Sequence, residues 1–336
     1  MQPRDPAAAD SASADPPAGL SLLVTLPALD EEKTIGEVIG KIPRAIPGVA
    51  RVDVLVVDDG SSDRTRQRAE EAGAQVLSHA SNRGVGAAFH TALTQGLERG
   101  ADLIVTIDSD GQFDPADIPA LIAPVVAGDA DFTTASRFID PALLPDMPGV
   151  KLWGNRMMSR LVSNLAGQKF YDVSCGMRCY HRRAAQQLYL LARFTYTQEV
   201  FLNLAFRGLR IAEVPIRVRG ERQHGTSRVA GNLWNYGFRT AFIIFRSYRD
   251  YHPLRFFGVL ALLCLAACAG FGLFFLSHYL TSGKFFPYTW VGVTAGAFFG
   301  LAVIMLHFGV IGDMLNRHRI YLEELLHYQR QRPPGP

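Results

Sequence analysis

Asp108, Asp110 and Gln112, the alternate members of Asp108-Ser109-Asp110-Gly111-Gln112, place two carboxylates and an amide oxygen within one short stretch. Donors spaced this way can converge on a hard divalent cation, and Mg²⁺ and Mn²⁺ take oxygen ligands and bridge readily to diphosphates. An Asp-x-Asp alone is common in solvated turns, so its context matters. Here it follows Leu103-Ile104-Val105-Thr106-Ile107, an apolar run that reads as a buried strand. A second constellation, Asp58-Asp59-Gly60-Ser61-Ser62-Asp63, also closes a largely apolar run. Gly60 permits a tight turn there, and the carboxylates could accept bonds from a base and a ribose. Ser62 or Asp63 can at the same time cap the helix that follows. In a third, Asn82-Arg83-Gly84-Val85-Gly86, two glycines let backbone approach a ligand and Arg83 can face a phosphate.

The elements that must position these groups follow an α/β pattern from Leu20 to about Val218, with short apolar runs alternating with amphipathic ones. Leu20 to Pro27 reads as a first strand, and Ile35, Val38, Ile39 and Ile42 fall on one helix face. Val52 to Asp63 reads as strand, sharp turn and helix start; Gln75 to Leu77 as a third strand; and Gly84 to Glu98 as a helix. Leu103 to Gln112 and Asp131 to Arg137 complete a mostly parallel, Rossmann-like sheet. Each strand carries its polar residues at the carboxyl end, the edge where open α/β sheets bind ligands, so a nucleotide site is expected there.

The 336 residues suffice for one large domain with an appendage, and a net charge of +3 supplies no field for nucleic acid. Residues 1–19, rich in Ala, Pro, Asp and Ser, predict a disordered tail without the apolar region of a signal peptide. Residues 20–228 form the expected α/β domain. Cys175 and Cys179 lack a second pair for zinc, and Cys264 and Cys268 lie in an apolar run as packing residues. Residues 254–314 hold two uncharged stretches, about 256–280 and 288–312, each long enough to span a bilayer as a helix. Arg246, Arg249 and Arg255 precede the first and Arg317 and Arg319 follow the second. The positive-inside rule puts both flanks in the cytoplasm. Within residues 229–253, Trp234, Phe238, Phe242 and Phe245 recur at helical spacing with Arg239, Arg246 and Arg249 off the stripe, as in an interfacial helix. Residues 315–336 form a cytoplasmic tail. The expectation is an integral protein of the bacterial inner membrane with its α/β domain and both termini cytoplasmic. Association into a homo-oligomer through the hairpins is left open.

The three constellations, in this order and preceded by Pro27-Ala28-Leu29-Asp30-Glu31, resemble the family 2 glycosyltransferases of GT-A fold over about Leu20 to Arg228. Phe113-Asp114-Pro115, Ser136-Arg137-Phe138, Ser174-Cys175-Gly176-Met177-Arg178, Glu213-Val214-Pro215-Ile216 and Arg222 to Arg228 are similar to the dolichol-phosphate mannose synthase branch, which includes bacterial polyprenyl-phosphate glycosyltransferases. The resemblance implies that Pro27, Leu29, Glu31, Asp58 and Asp59 surround the nucleotide, with Arg83 and Asp108 beside it. It implies that Asp108, Asp110 and Gln112 hold Mg²⁺ or Mn²⁺, that Arg222 and Arg228 close over the diphosphate, and that Arg137, Arg156 and Arg160 receive the lipid phosphate. Asp110 and Arg137 would carry the catalysis. One departure is Asp30, where the family usually has Asn.

The reaction so implied is transfer of a hexose from a UDP- or GDP-sugar to polyprenyl phosphate. A phosphate monoester has a second pKa near 6, so the acceptor arrives ionised and needs cations to hold it rather than a strong base. Direct displacement with inversion is therefore expected. A hydroxyl acceptor would need a base, for which Glu199 is the candidate. It remains the alternative, as does a non-catalytic membrane scaffold of the same fold.

Overall fold

The computed structural model describes residues 19–188, 197–219, 242, 244–246 and 248–331. Strand β1 (Leu20–Ala28) alternates strictly: Leu22, Val24 and Leu26 enter one apolar cluster and Leu23 the other. β2 (Val49–Asp58) repeats this with Val54 and Val56 against Leu55 and Val57, and β4 (Leu103–Thr106) with Leu103 and Val105 against Ile104. Strands apolar on both faces require a cover on each. Helices α1 (Ile35–Gly40), α2 (Thr65–Glu71) and α4 (Ile118–Val126) cover the first face. The second is covered by α3 (Val85–Glu98), α5 (Gly149–Ala166), α6 (Arg182–Gln186) and α7 (Thr197–Phe206).

The sheet also contains β3 (Gln75–Ser78), β5 (Phe132–Ser136), β6 (Arg178–His181) and β7 (Ile211–Pro215), in the order β3-β2-β1-β4-β6-β5-β7. Pairing is parallel except around β6, which runs antiparallel to both β4 and β5. The expected mostly parallel sheet is thus present with one reversed strand. That strand matters for the site: it pairs Thr106 with Arg178 and so brings Gly176 and Cys175 back to the carboxyl end of β4. β4 is shorter than the expected Leu103 to Gln112. After Ile107 donates to the Thr25 carbonyl the chain leaves the ladder, and Asp108 to Gln112 form a loop. An aromatic cluster ties β5 and β6 to α7, with Phe132 4.9 Å from Tyr180 and 5.6 Å edge-on from Phe201. Such pairs contribute about 0.5–1.5 kcal/mol each beyond their burial.

Beyond the sheet, α8 (Pro253–Ser282) and α9 (Thr289–Gln331) pack as an antiparallel pair. Phe257 meets Phe308 near one end, Phe271 stacks on Phe298 mid-way, and Phe274 meets Tyr288 at the turn. Close approach is built in: a Cβ on Gly312 would sit 2.7 Å from Pro253, and one on Gly292 2.9 Å from the Phe275 ring. Both helices are long and apolar enough to cross a membrane. α9 does not stop where its apolar run ends but continues through Arg317 and Arg319 to Gln331. Of the expected interfacial helix, Trp234, Phe238 and Arg239 lie outside the described residues. Phe242 and Phe245 are helical and exposed, while Ile244 is buried in the second apolar cluster.

Candidate functional site

The carboxyl ends of β1, β2 and β4 gather the acidic residues. Asp58 and Asp59 are both 4% exposed and Asp110 is 3% exposed, whereas Asp108 is half-buried. Buried carboxylates require donors, and those of the Asp58-Asp59 turn are visible. Asp58 Oδ1 accepts from Ser61 N at 2.9 Å. Asp59 accepts from Gly84 N at 2.8 Å, Arg83 N at 3.0 Å and His79 Nδ1 at 2.7 Å, and His79 Nε2 lies 3.0 Å from Thr91 Oγ1. Asp59 therefore fastens the Asn82–Gly86 loop to the sheet edge, so two of the constellations are one structure. Gly84, at φ 92°, begins α3 in a conformation costly for other residues.

Asp30 has a left-handed backbone, φ 49°, a region that Asn and Asp tolerate best among residues with a Cβ. Its Oδ1 accepts from Ser62 N at 2.8 Å and Oγ at 3.1 Å, and its own N–H donates to Ser61 Oγ at 2.9 Å. The acidic residue in place of Asn thus accepts bonds that either side chain could accept. Glu31 N–H donates to Thr65 Oγ1 at 2.7 Å, locking the turn after β1 onto α2. Pro27 and Leu29 flank this turn, and the Pro27 carbonyl accepts from Ser109 Oγ at 2.9 Å.

In the loop after β4, Asp110 Oδ1 accepts from Gln112 N at 3.0 Å. The Gln112 side-chain amide donates to the Arg219 carbonyl at 3.2 Å and Arg219 N returns a bond to the Gln112 carbonyl at 3.0 Å. This double tether holds the chain that leads toward Arg222 and Arg228, which lie outside the described residues. Gly176 lies against Asp108: a Cβ there would fall 2.3 Å from Asp108 Oδ2 and 2.8 Å from Cγ. The chain thus leaves room for a carboxylate that a side chain would displace. The donor set of Asp108, Asp110 and the Gln112 side-chain amide oxygen is all oxygen, which suits Mg²⁺ or Mn²⁺. Among the described residues no three His, Cys, Asp or Glu side chains form a metal cage, so an ion here must draw remaining ligands from the amide, a diphosphate or water.

Arg137, just after β5, is held in a fork. Its Nε donates to Asp172 Oδ2 at 2.6 Å, and its Nη2 to Asp172 Oδ1 at 2.9 Å and Ser174 Oγ at 2.7 Å. Burial by itself favours neutral Asp172, but the Arg137 charge and surrounding donors hold its carboxyl below the ordinary range. Burial likewise opposes the Arg137 charge, and Asp172 outweighs it with a smaller contribution from Asp108, which places the arginine in the field of the β4 loop. Glu213 of β7 accepts from Tyr171 N at 2.8 Å and Asp172 N at 2.7 Å, and burial pushes its carboxyl up. From the other side, Ser174 Oγ donates to Asn155 Oδ1 of α5 at 3.2 Å. Arg156 and Arg160 follow on the exposed side of α5, where they border an open cleft with Trp153 and Met157. Burial pushes the Cys175 thiol up to about 12, so it stays protonated as a packing residue. Glu199 is buried in α7.

Asp172, His79 and Asn155 are the residues that sequence reading missed. Asp172 had one signal, an acid two positions before the Ser174-Cys175-Gly176 motif in an otherwise apolar stretch.

Known proteins resemble this chain in sequence and in fold. The pattern described as Glycosyl transferase family 2 matches residues 23–189. The chain is 30% identical over 220 residues to the polyprenol monophosphomannose synthase of Mycolicibacterium smegmatis, covering 62% of this chain and 81% of that one. It is 29% identical over 226 residues to the undecaprenyl-phosphate mannosyltransferase of Micrococcus luteus, covering 64% and 89%. Glucosyl-3-phosphoglycerate synthase of Mycobacterium tuberculosis, solved with Mn²⁺, UDP-glucose and phosphoglyceric acid, superimposes at a TM-score of 0.56 with 23% identity, over 69% of this chain and 80% of that one. The likeness in structure shows the GT-A fold, and the sequence matches carry the rest: this chain belongs to glycosyl transferase family 2 and is a glycosyltransferase.

Proposed function

We propose that this enzyme transfers a hexose from a nucleotide-sugar donor to polyprenyl phosphate, with inversion at the anomeric carbon. The observation that supports this most is the pairing of opposite charges at one sheet edge. Asp108 and Asp110 follow β4, while Arg137 follows β5, which points the same way two strands along the sheet across β6, and Asp108 is among the charges that favour the ionised guanidinium. An acidic pocket suits a metal-bound diphosphate and a fixed guanidinium suits an acceptor phosphate. Relatives named for polyprenyl-phosphate acceptors support the lipid half of the reading.

Asp108, Asp110 and Gln112 would hold Mg²⁺ or Mn²⁺, as the donor set allows. Such an ion neutralises charge on a departing nucleoside diphosphate. The other work falls to the chain itself. The turns at Pro27–Glu31 and Asp58–Asp59, tied together through Asp30 and Ser61, would receive the base and ribose, and the Arg83 loop is presented by Asp59. Arg137, with Arg156 and Arg160 beyond it on α5, would hold the acceptor phosphate. An ionised phosphate is itself the nucleophile, so no base need be found. Arg222 and Arg228 would close over the diphosphate. α8 and α9 would span the membrane with both flanks cytoplasmic, since Arg246, Arg249 and Arg255 stand before α8 and Arg317 and Arg319 follow the apolar part of α9.

The test is lipid labelling by the detergent-solubilised protein given polyprenyl phosphate, Mg²⁺ or Mn²⁺ and a panel of radiolabelled nucleotide sugars. Label should enter the organic phase from one donor, and EDTA or Asp110→Ala should abolish it. Nucleotide release with all label left in water would overturn the lipid acceptor.

A further inference from the structure

Arg178 is a buried cation that touches neither the acidic loop after β4 nor Arg137, yet it lies beneath both. It opens β6 with 0% exposure, in register with Thr106 of β4 on one side and Thr134 of β5 on the other. Its guanidinium carbon is 5.2 Å from the centre of the Phe201 ring and 5.9 Å from that of Phe132. A guanidinium so placed has lost its hydration, and its N–H groups must find acceptors inside the protein. Among the described hydrogen bonds, Nε donates to the Cys175 carbonyl at 2.8 Å and Nη2 to the Val173 carbonyl at 3.3 Å. The carbonyl of Gly176, next in the chain, accepts from Thr106 Oγ1 at 3.3 Å.

These bonds hold the segment that joins the two halves of the site. Residues 172–177 form neither helix nor strand, so no ladder fixes them. Asp172 and Ser174, at one end, clamp Arg137. Gly176, at the other, lies against the Asp108 carboxylate with no room for a Cβ. Arg178 holds the carbonyls on either side of Ser174, and the second of them belongs to the residue before Gly176. Two N–H groups of one rigid planar fork fix two carbonyls relative to each other, which an ammonium on a flexible stem does not.

We propose that Arg178 is a positioning residue for the transfer, setting the separation between an acceptor phosphate held at Arg137 and a donor held at the Asp108 loop. The proposal rests on the reading of those two places as acceptor and donor sides. In a direct displacement the acceptor oxygen must stand about 3–3.5 Å from the anomeric carbon, in line with the departing diphosphate. Neither half of the site sets that separation by itself. The segment from Asp172 to Gly176 does, because it touches both halves, and Arg178 holds the segment. Loosening it leaves each substrate its own binding groups but moves the reacting atoms out of reach, so turnover falls while binding is kept.

The test compares Arg178→Lys and Thr106→Val with the wild-type full chain in detergent. Thr25→Val is the control. Thr25 is the register partner of Thr106 on β1, is equally buried, and donates at 2.9 Å to the Val105 carbonyl within the sheet rather than to the loop. Equilibrium binding of the labelled donor nucleotide counts folded sites, so that kcat for lipid labelling is expressed per site. Arg178→Lys should lower that kcat by about 10²-fold, the scale for a misplacement of about 1 Å. Thr106→Val, which removes one neutral hydrogen bond, should lower it by about tenfold. Nucleotide affinity and the lipid KM should stay within about threefold of wild type in both. Fewer sites with unchanged kcat per site would make Arg178 a core residue only and overturn the proposal. A rise in one KM alone, or an equal kcat loss in Thr25→Val, would overturn it as well. If Arg178→Lys does not fold, Thr106→Val against Thr25→Val decides. Wild-type protein that labels no lipid would defeat the reading of the function and the proposal with it, whereas wild-type labelling with unchanged variants would defeat the positioning role alone.

Discussion

Gly176→Ala should separate activity from folding. A Cβ built on Gly176 lies 2.3 Å from Asp108 Oδ2, while ordinary contact begins near 3.4 Å. The carboxylate oxygen must therefore retreat by about 1.1 Å, the difference of those two distances. It can do so at modest cost, because it is the end of a rotatable side chain that is only half-buried; about 1 kcal/mol is the scale for one added methyl with that freedom. The chemistry is less forgiving. A misplacement of about 1 Å at a positioned group can cost about 10²-fold in rate, equivalent to about 2.7 kcal/mol of transition-state stabilisation. The assay pairs thermal denaturation in detergent with kcat/KM for lipid labelling over a Mn²⁺ titration. Gly40→Ala, where a Cβ meets nothing within 4 Å, is the control for adding a methyl as such. In an Asp108→Ala background Gly176→Ala should have no further effect, since the group it displaces is gone. Wild-type turnover and Mn²⁺ dependence in Gly176→Ala would refute the assignment of Asp108 to the reacting site.

Asp172→Asn should destabilise the fold by about 3–5 kcal/mol at neutral pH, because it leaves the Arg137 guanidinium partly buried without its counter-charge. The folded-state carboxyl of Asp172 titrates below its unfolded value of about 4. Its contribution is thus present above that value and is lost as pH falls through the lower folded value, so wild-type and Asp172→Asn melting temperatures should converge on acidification. A constant gap across the acid range would exclude the charge pair as the cause. His79→Gln loosens Asp59 and the Arg83 loop it holds, and should raise the KM for the nucleotide sugar by about tenfold, the lower end for loss of an orienting partner, with little change in the lipid KM. Equal changes in both would point to general damage instead.

Periodicity made the first half of the fold readable. β1, β2 and β4 are apolar on both faces and the residues after them are acidic, so pattern alone marks the ligand-binding edge of the sheet. β6 and β7 were not legible as strands. β6 is four residues, Arg178 to His181, with a fully buried arginine at its start, and local pattern carries nothing of its antiparallel insertion between β4 and β5. The same insertion explains what sequence could not: why Gly176 must lack a side chain, and how Asp172 reaches Arg137 from 35 positions away. The outward face of α5, where Trp153 and Met157 are exposed, was hidden for a different reason. Its residues have ordinary helical spacing, and only burial shows that the outward face, rather than the inward one, carries the tryptophan.

In the proposed reaction, Arg137 illustrates why an acceptor side would be built from clamped cations rather than from a base. A guanidinium offers five N–H donors. The described hydrogen bonds use Nε once and Nη2 twice, all toward Asp172 and Ser174, which leaves the Nη1 edge for a ligand. With both Asp172 oxygens engaged and Glu213 holding the Asp172 backbone, the arginine cannot swing to meet a phosphate, so the phosphate must come to it. A fixed charge loses little entropy on binding and needs no reorganisation as the acceptor oxygen gives up its negative charge. A hydroxyl acceptor gains nothing from such a group, because its difficulty is a proton, and Arg137 cannot take one. The clamp is therefore an argument for an acceptor that arrives already ionised, independent of the names of any relatives.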